Sequence, residues 1–296
     1  MLSVCIPVYQ VDVRPLVRSL QAQAAVLPIP LEIFCLDDAS DPFWQRLNRE
    51  LEGQDLVRYE ELTENLGRAR IRNRLAREAV HPYLLFLDSD ARLSRPDFLE
   101  RYAQELPTDA VLCGGGHYQP EPPVDSRYWL HWYYGSRVEQ KPAAQRRQQP
   151  YLGFKTFNFL VPRRLLLEHP FDENLVSYGH EDTLWGMELE RAGIPIRHLD
   201  NPACHAGLEP VEKFLQKQRQ AIDQLLVLEG AYPRLPVRLL RWGRQLEARR
   251  LDAPVRWMVQ LISPILGRML TGHRSVVSLW ALHIFKLGYL LERKAS

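Results

Sequence analysis

The 296-residue chain has little net charge, few cysteines and no long apolar run. Its 38 Lys and Arg nearly balance 36 Asp and Glu, for a formal charge of +2. No strongly basic face for general nucleic-acid binding is therefore expected, and an acidic disordered chain is excluded. Cys5, Cys35, Cys113 and Cys204 are scattered without a CxxC spacing, which speaks against a disulfide scaffold or structural zinc and for reduced, buried thiols. The uncharged stretch between Arg274 and Lys286 is 11 residues long, where a bilayer needs about 20. No basic leader precedes the apolar Leu2, Val4, Ile6 and Val8, so the expected location is cytoplasmic. A GxxxxGK[ST] loop is missing, as is a GxGxxG after the first apolar run, so P-loop and dinucleotide folds lose their main support.

What is present is an uneven charge distribution over an α/β pattern. Residues 1–207 carry a balance of −6 and residues 208–296 one of +8, an acidic body followed by a basic tail. In the body, short apolar runs at 2–8, 31–36, 56–59, 83–87 and 110–113 alternate with helical stretches at 14–25, 42–52 and 66–79. This rhythm predicts a mainly parallel sheet covered on both faces, because most of the strand runs are continuously apolar. Residues 117–150 lose the pattern and read as a long irregular excursion. Regular structure is predicted again at 157–161, as a helix over 183–192 stopped by Gly193, and as a strand over 194–199. The tail after Pro210 reads as helices divided by prolines 233, 236, 254 and 264.

Acidic residues directly follow two of the apolar runs, as Asp37-Asp38-Ala39-Ser40 and as Asp88-Ser89-Asp90. Ligands of open α/β sheets sit outside the carboxyl ends of the strands, so both clusters would face one crevice. Asp and Ser after a strand are also ordinary turn formers and helix caps, and that reading stays open for either cluster alone. Asp-Ser-Asp suits Mg²⁺ or Mn²⁺ on a diphosphate, since hard carboxylate oxygens bind the cation and the cation neutralises the phosphates. Gly114-Gly115-Gly116 reads as a flexible turn. A third cluster, Tyr178-Gly179-His180-Glu181-Asp182, could be a site or could complement the dipole of the helix it precedes. His205 follows the last predicted strand of the body, as a ligand or as a structural histidine.

Taken together, these segments resemble family-two glycosyltransferases. The resemblance rests on Ser3-Val4-Cys5-Ile6-Pro7-Val8-Tyr9, Asp37-Asp38-Ala39-Ser40, Asp88-Ser89-Asp90, Phe171-Asp172-Glu173 and Gly179-His180-Glu181-Asp182 in family order. Between the second and third lies Asn65-Leu66-Gly67-Arg68-Ala69-Arg70-Ile71-Arg72-Asn73, which is similar to the family element N-x-G-x-x-x-x-R-N. The resemblance implies a GT-A nucleotide-sugar-binding fold over residues 1–207, with 208–296 as a basic, helical C-terminal extension. It implies that Pro7, Val8 and Tyr9 line the nucleotide pocket, that Asp38 receives the base N–H, and that Arg72 lies near base or phosphate. Asp88 and Ser89 would meet the donor. Asp90 and His205 would hold Mn²⁺ or Mg²⁺, the imidazole favouring Mn²⁺. Asp182 would be the general base, with Glu181 holding a sugar hydroxyl.

The implied activity is that of an inverting, non-processive hexosyltransferase moving a sugar from a nucleotide-diphosphate donor, preferably a UDP-sugar, to a glycan or lipid-linked glycan in polysaccharide biosynthesis. His169-Pro170 departs from the Gly-Gly pair of many relatives, and Arg241-Trp242 and Arg256-Trp257 lack the preceding Gln of the processive Q-x-x-R-W signature. The aromatic run at 128–134, with Trp129 and Trp132, together with His180, is a candidate acceptor surface; core packing is the alternative. The basic tail suits an anionic membrane at its inner face, a cap over the catalytic domain or a homodimer contact. Rival readings are a sugar nucleotidyltransferase, a glycoside hydrolase and a catalytically degenerate GT-A scaffold. The first would carry a Gly-rich basic loop after Val8, and the second needs two acids flanking a glycosidic bond.

Overall fold

The computed structural model describes residues 1–175, 179–232, 235–271 and 278–295. Tyr178, Pro233 and Arg274 lie outside the described residues. The strands are β1 (Leu2–Val8), β2 (Leu31–Asp37), β3 (Val57–Glu61), β4 (Tyr83–Leu87), β5 (Ala91–Arg92), β6 (Val111–Cys113), β7 (Gly116–His117), β8 (Asn158–Pro162), β9 (Ile196–His198) and β10 (Ala203–His205). The helices are α1 (Arg14–Ala24), α2 (Pro42–Asn48), α3 (Arg68–Glu78), α4 (Phe98–Ala103), α5 (Trp129–Tyr134), α6 (Ala143–Arg146), α7 (Arg163–Glu168) and α8 (Glu181–Arg191), followed by α9 (Val211–Ala231), α10 (Arg238–Ala248), α11 (Asp252–Thr271) and α12 (Leu279–Ala295). They form two compact units: Met1–Gln119, Val138–Val176 and Glu181–Gly207 in the first, and Pro120–Arg137, Ser177–His180 and Leu208–Ser296 in the second.

The first unit is an α/β fold around a seven-stranded sheet of order β3-β2-β1-β4-β8-β6-β9, parallel except for β8. Its two faces follow from the period of two along each strand. Leu2, Val4, Ile6 and Val8 pack with Ile33, Cys35, Leu85 and Leu87 into one core, beneath Leu16, Val17 and Leu20 of α1 and Phe98, Leu99 and Tyr102 of α4. Cys5, Phe34, Leu36, Leu84 and Phe86 face the opposite core, covered by α3, α7 and the Trp185 and Leu189 side chains of α8. Both faces are buried, which is why the strands read as continuous apolar runs. The chain runs outward from β1 through β2 to β3 and returns on the other side of β1 as β4. That reversal opens the switch-point crevice at the carboxyl ends of β1 and β4.

A second, three-stranded sheet, β5-β10-β7, stands beyond the end of β4. It pairs His205 with Ala91 and Cys204 with Arg92, and so brings the last strand of the first unit beside the residues that follow Asp90. All four cysteines are buried and free.

Three expectations are corrected. The 117–150 stretch is not devoid of regular structure: it holds α5, a π turn over Gly135–Glu139 and α6. These pieces are too short for a 3.6-residue period to emerge from the Pro and Gln around them. Helix α8 begins at Glu181 rather than 183, taking both acids into its first turn, where the helix dipole favours them. Pro264 does not end a helix but lies within α11, on an exposed side where water can serve the carbonyl that its missing N–H leaves over.

The second unit packs Leu130 of α5 with Val211 and Phe214 of α9, Val259, Leu266 and Leu270 of α11, and Ala281 and Leu282 of α12. Gly288 lets α11 and α12 approach, since a Cβ there would overlap Val259.

Candidate functional site

The first acidic cluster is largely engaged in holding the backbone. Asp37 is fully buried; its Oδ1 accepts the Ser40 N–H at 2.7 Å and its Oδ2 the Tyr59 hydroxyl at 3.3 Å. Asp38 accepts the N–H groups of Leu66 at 2.6 Å and Gly67 at 3.0 Å, while Asn65 donates to the Asp38 carbonyl at 3.0 Å. It thereby ties the end of β2 to the start of α3. Burial raises both carboxyls above their usual range, and these hydrogen bonds oppose the rise. Val8 is buried and its carbonyl accepts from Asp38 N at 2.8 Å, whereas the Tyr9 ring is 53% exposed at the mouth of the crevice. Pro7 precedes them in β1, half-buried.

Arg72 joins the clusters. Only 2% exposed, it donates from one Nη to Asp88 at 2.8 Å, and its other Nη stands 3.8 Å from Glu181. Its neighbour Asn73 is a staple rather than a site residue: it donates to the Phe171 carbonyl and Glu173 and accepts the Phe171 N–H. The family-like element thus spends one residue on charge and the next on fixing the segment that leads to α8.

Asp90 and His205 face each other across the small sheet, Nε2 to Oδ2 at 3.5 Å. The imidazole packs against the rings of Tyr118 and Phe157, each centroid 5.3 Å away. Asp90 Oδ1 is shut from solvent and, among the described residues, has no hydrogen-bond partner. Gly207 leaves room for the other oxygen, since a Cβ there would overlap Asp90 Oδ2. Burial pushes the Asp90 carboxyl upward; His205 pulls against that, Asp88 adds to it and Arg68 offsets it. Ser89 lies half-buried between the two acids. Among the described residues no group of three or more His, Cys, Asp or Glu is placed to hold a metal ion. One carboxylate with an unsatisfied oxygen and one imidazole do fit a divalent ion whose remaining ligands come from a diphosphate and water.

Two residues enter the site that sequence reasoning did not single out. Arg68, at the start of α3, reaches Glu181 at 3.4 Å and is 47% exposed. Lys155 reaches Asp182 Oδ2 at 2.5 Å, while Asp182 Oδ1 accepts the Thr183 N–H at 2.7 Å. Arg68 had a sequence signal, a cation inside the N-x-G-x-x-x-x-R-N element; Lys155, preceding β8, had none. The structure therefore brings Arg72, Asp88 and Glu181 together, and Asp90 with His205. His180, Trp129 and Trp132 fall in the second unit. Trp129 and Trp132 pack on each other at 5.2 Å, half-buried on α5, and His180 has a positive φ of 67°.

The Gly114–Gly116 segment is tightly packed, not a flexible turn. A Cβ at Gly114 would overlap the Tyr102 hydroxyl, and at Gly115, with φ of 84°, it would meet Arg146 at 2.6 Å. The buried Arg146 donates to the carbonyls of Cys113, Gly114 and Leu199 and to His198 Nδ1.

The sequence profile of Glycosyl transferase family 2 matches residues 3–170. That span contains Asp38, Arg72, Asp88, Ser89 and Asp90 but not Glu181, Asp182 or His205. Validoxylamine A glucosyltransferase of Streptomyces hygroscopicus subsp. limoneus is 29% identical over 227 residues, 66% of this chain and 49% of that protein. The chain thus spans about half the length of this curated relative. Among solved structures, the mannosyltransferase PcManGT of Pyrobaculum calidifontis, in complex with GDP-Man and Mn²⁺, superposes with a TM-score of 0.57 at 16% identity, covering 99% of this chain and 86% of that one. TarS 1-349 of S. aureus in complex with UDP-GlcNAc gives 0.52 at 16% identity, over 99% and 91%. At these identities the likeness is one of fold.

Proposed function

Because the chain belongs to glycosyl transferase family 2, we propose that it transfers a sugar from a nucleotide-diphosphate donor to an acceptor hydroxyl, with inversion at the anomeric carbon. The observation that carries this reading is the convergence at the carboxyl end of β4. Arg72 draws Asp88 and Glu181 together there, while Asp90 and His205 meet across the adjoining strands.

In this reading Pro7, Val8 and Tyr9 line the nucleoside pocket, and Asp38 takes the base N–H with the lone pairs its loop contacts leave over. Asp88, held by Arg72, and the neighbouring Ser89 meet the ribose or sugar. Asp90 and His205 would hold Mn²⁺ or Mg²⁺, which when bound neutralises charge on the departing diphosphate. Arg68, partly exposed beside Asp90 and Glu181, offers the phosphates a cation from the protein itself. A sugar hydroxyl is a weak nucleophile until its proton is taken. Asp182 accepts that proton as the oxygen bonds to the anomeric carbon and the bond to the diphosphate oxygen breaks. Lys155 is 54% exposed, so its hold on Asp182 is a solvated ion pair worth at most about 1 kcal/mol and is readily exchanged for the acceptor. Glu181 orients a donor or acceptor hydroxyl. Residues 1–207 form the catalytic domain in this proposal, a UDP-sugar is the preferred donor, and a glycan or lipid-linked glycan is the acceptor.

The test is calorimetric binding of UDP, GDP, dTDP and CDP, each with Mn²⁺ and then with EDTA. Tight binding of one nucleotide that EDTA abolishes is expected. A folded protein that binds none of the four, or binds equally well in EDTA, overturns the reading.

A further inference from the structure

Helix α11 turns large apolar side chains to solvent. Trp257 is 66% exposed, Leu261 65%, Ile265 58% and Met258 48%. The inward side of the same helix is buried through Val259, Leu266 and Leu270, so α11 is apolar on both sides. The spacing 257, 258, 261, 265 places the exposed residues on one stripe. Leu251 just before the helix and Trp280 in the first turn of α12, which packs against α11, add to the exposed apolar surface at 44% and 60%.

The surroundings of the stripe are cationic. Arg249 and Arg250 precede it, Arg256 lies within it and Arg268 follows it; α11 itself has one acid, Asp252. Over residues 238–271 seven arginines stand against two acids. A two-fold contact between copies of this chain would set this patch against itself, arginine facing arginine. A surface of fixed negative charge with an apolar layer beneath it satisfies both halves of the pattern, and tryptophan is at home at such a boundary. No helix among the described residues is long and apolar enough to cross a bilayer, so α11 would lie on it rather than span it.

We infer that the outward stripe of α11, with Trp280, is a docking surface for an anionic phospholipid bilayer. The helix lies in the interfacial plane, Trp257, Leu261 and Ile265 enter the acyl boundary, and Arg249, Arg250 and Arg268 meet the headgroups. This rests on the second unit alone and is independent of the proposed transferase chemistry.

The full chain is sedimented with vesicles of phosphatidylcholine alone, or with one third phosphatidylglycerol, at rising salt. Binding is expected to the anionic vesicles and not to the neutral ones, and to weaken with salt. A Leu261→Ser/Ile265→Ser variant should bind about tenfold or more weakly. An Arg249→Gln/Arg250→Gln variant should lose roughly 25-fold, about fivefold for each arginine near the surface. All four positions are exposed, and unchanged circular dichroism verifies the fold. Equal binding to neutral vesicles, no binding to either, or indifference to both variants overturns the inference. So does a dimer, seen by light scattering, that Leu261→Ser/Ile265→Ser dissociates, because the stripe would then belong to a second copy.

Discussion

The carboxyl edge of the first unit and the outer stripe of α11 break the same rule in opposite directions. At the edge, charged groups are taken out of water: Arg72 is 2% exposed and Glu181 8%. On α11, apolar groups that a soluble domain hides are left in water. In the first case each buried charge has an opposite partner close by, and the cost of burial is met inside the unit. In the second nothing among the described residues covers the side chains, and the cost is recovered only on contact with something else. A self-contained site and an outward-facing surface are thus distinguishable by whether the misplaced groups are matched within the fold.

Substitutions can press on each side of that contrast. The largest effect is expected for Asp182→Asn, which keeps the side chain's shape and removes the proton acceptor. Turnover should fall about 10²–10⁴-fold, while calorimetry shows Mn²⁺-dependent nucleotide affinity within about twofold of the parent. Lost nucleotide binding in a well-folded variant would remove Asp182 from the role of base. Next comes Trp185→Ala beneath the site. Trp185 is 1% exposed against Phe171, Phe154 and Phe159 and donates to the His169 carbonyl at 2.7 Å, so urea unfolding should register a loss of about 3–5 kcal/mol.

A smaller, pH-dependent effect is expected of His198. It is buried, accepts from Arg146 at 2.7 Å and donates to the Pro150 carbonyl at 2.9 Å, an arrangement for the neutral ring. Burial lowers its pKa from 6.5; the Pro150 contact opposes this and Arg146 and Arg147 reinforce it. The unfolded chain therefore binds the proton more readily, so the stability is whole above about pH 6.5 and declines as pH falls below it. His198→Gln should flatten the melting temperature between pH 7.5 and 5 in part only, since His81 and His283 are shifted the same way. An unaltered slope would show that His198 does not contribute. Smallest of all, Leu261→Ser should change unfolding free energy by no more than about 0.5 kcal/mol. A loss above about 2 kcal/mol would mean that the stripe is part of a core after all.

Much of the first unit was legible in the sequence. β1 and β4 coincide with their apolar runs, because strands buried on both faces leave an unbroken signal. The acids after β2 and β4 were legible as positions, but their duties were not. Asp37 and Asp38 spend their hydrogen bonds on Ser40, Tyr59, Leu66 and Gly67, partners that only the folded backbone supplies. Lys155 and Arg146 left no trace, since each acts on residues far away in sequence: 27 positions for Lys155 and Asp182, 52 for Arg146 and His198. The start of α8 was misplaced because Glu181 and Asp182 suit a cap and a first turn equally well.

The pairing of β10 with β5 works as a ruler. The side chain opposite Ala91 is decided by strand register, not by any contact the imidazole makes for itself. Adding one residue in the link between β9 and β10 would set that frame back by one step and present Cys204 where His205 now stands; removing one would present Ala206. A thiolate is a soft donor that selects zinc or copper over manganese. If Asp90 and His205 hold an ion as proposed, the class of ion they select is therefore written in the spacing of a short connection as much as in the identity of any ligand.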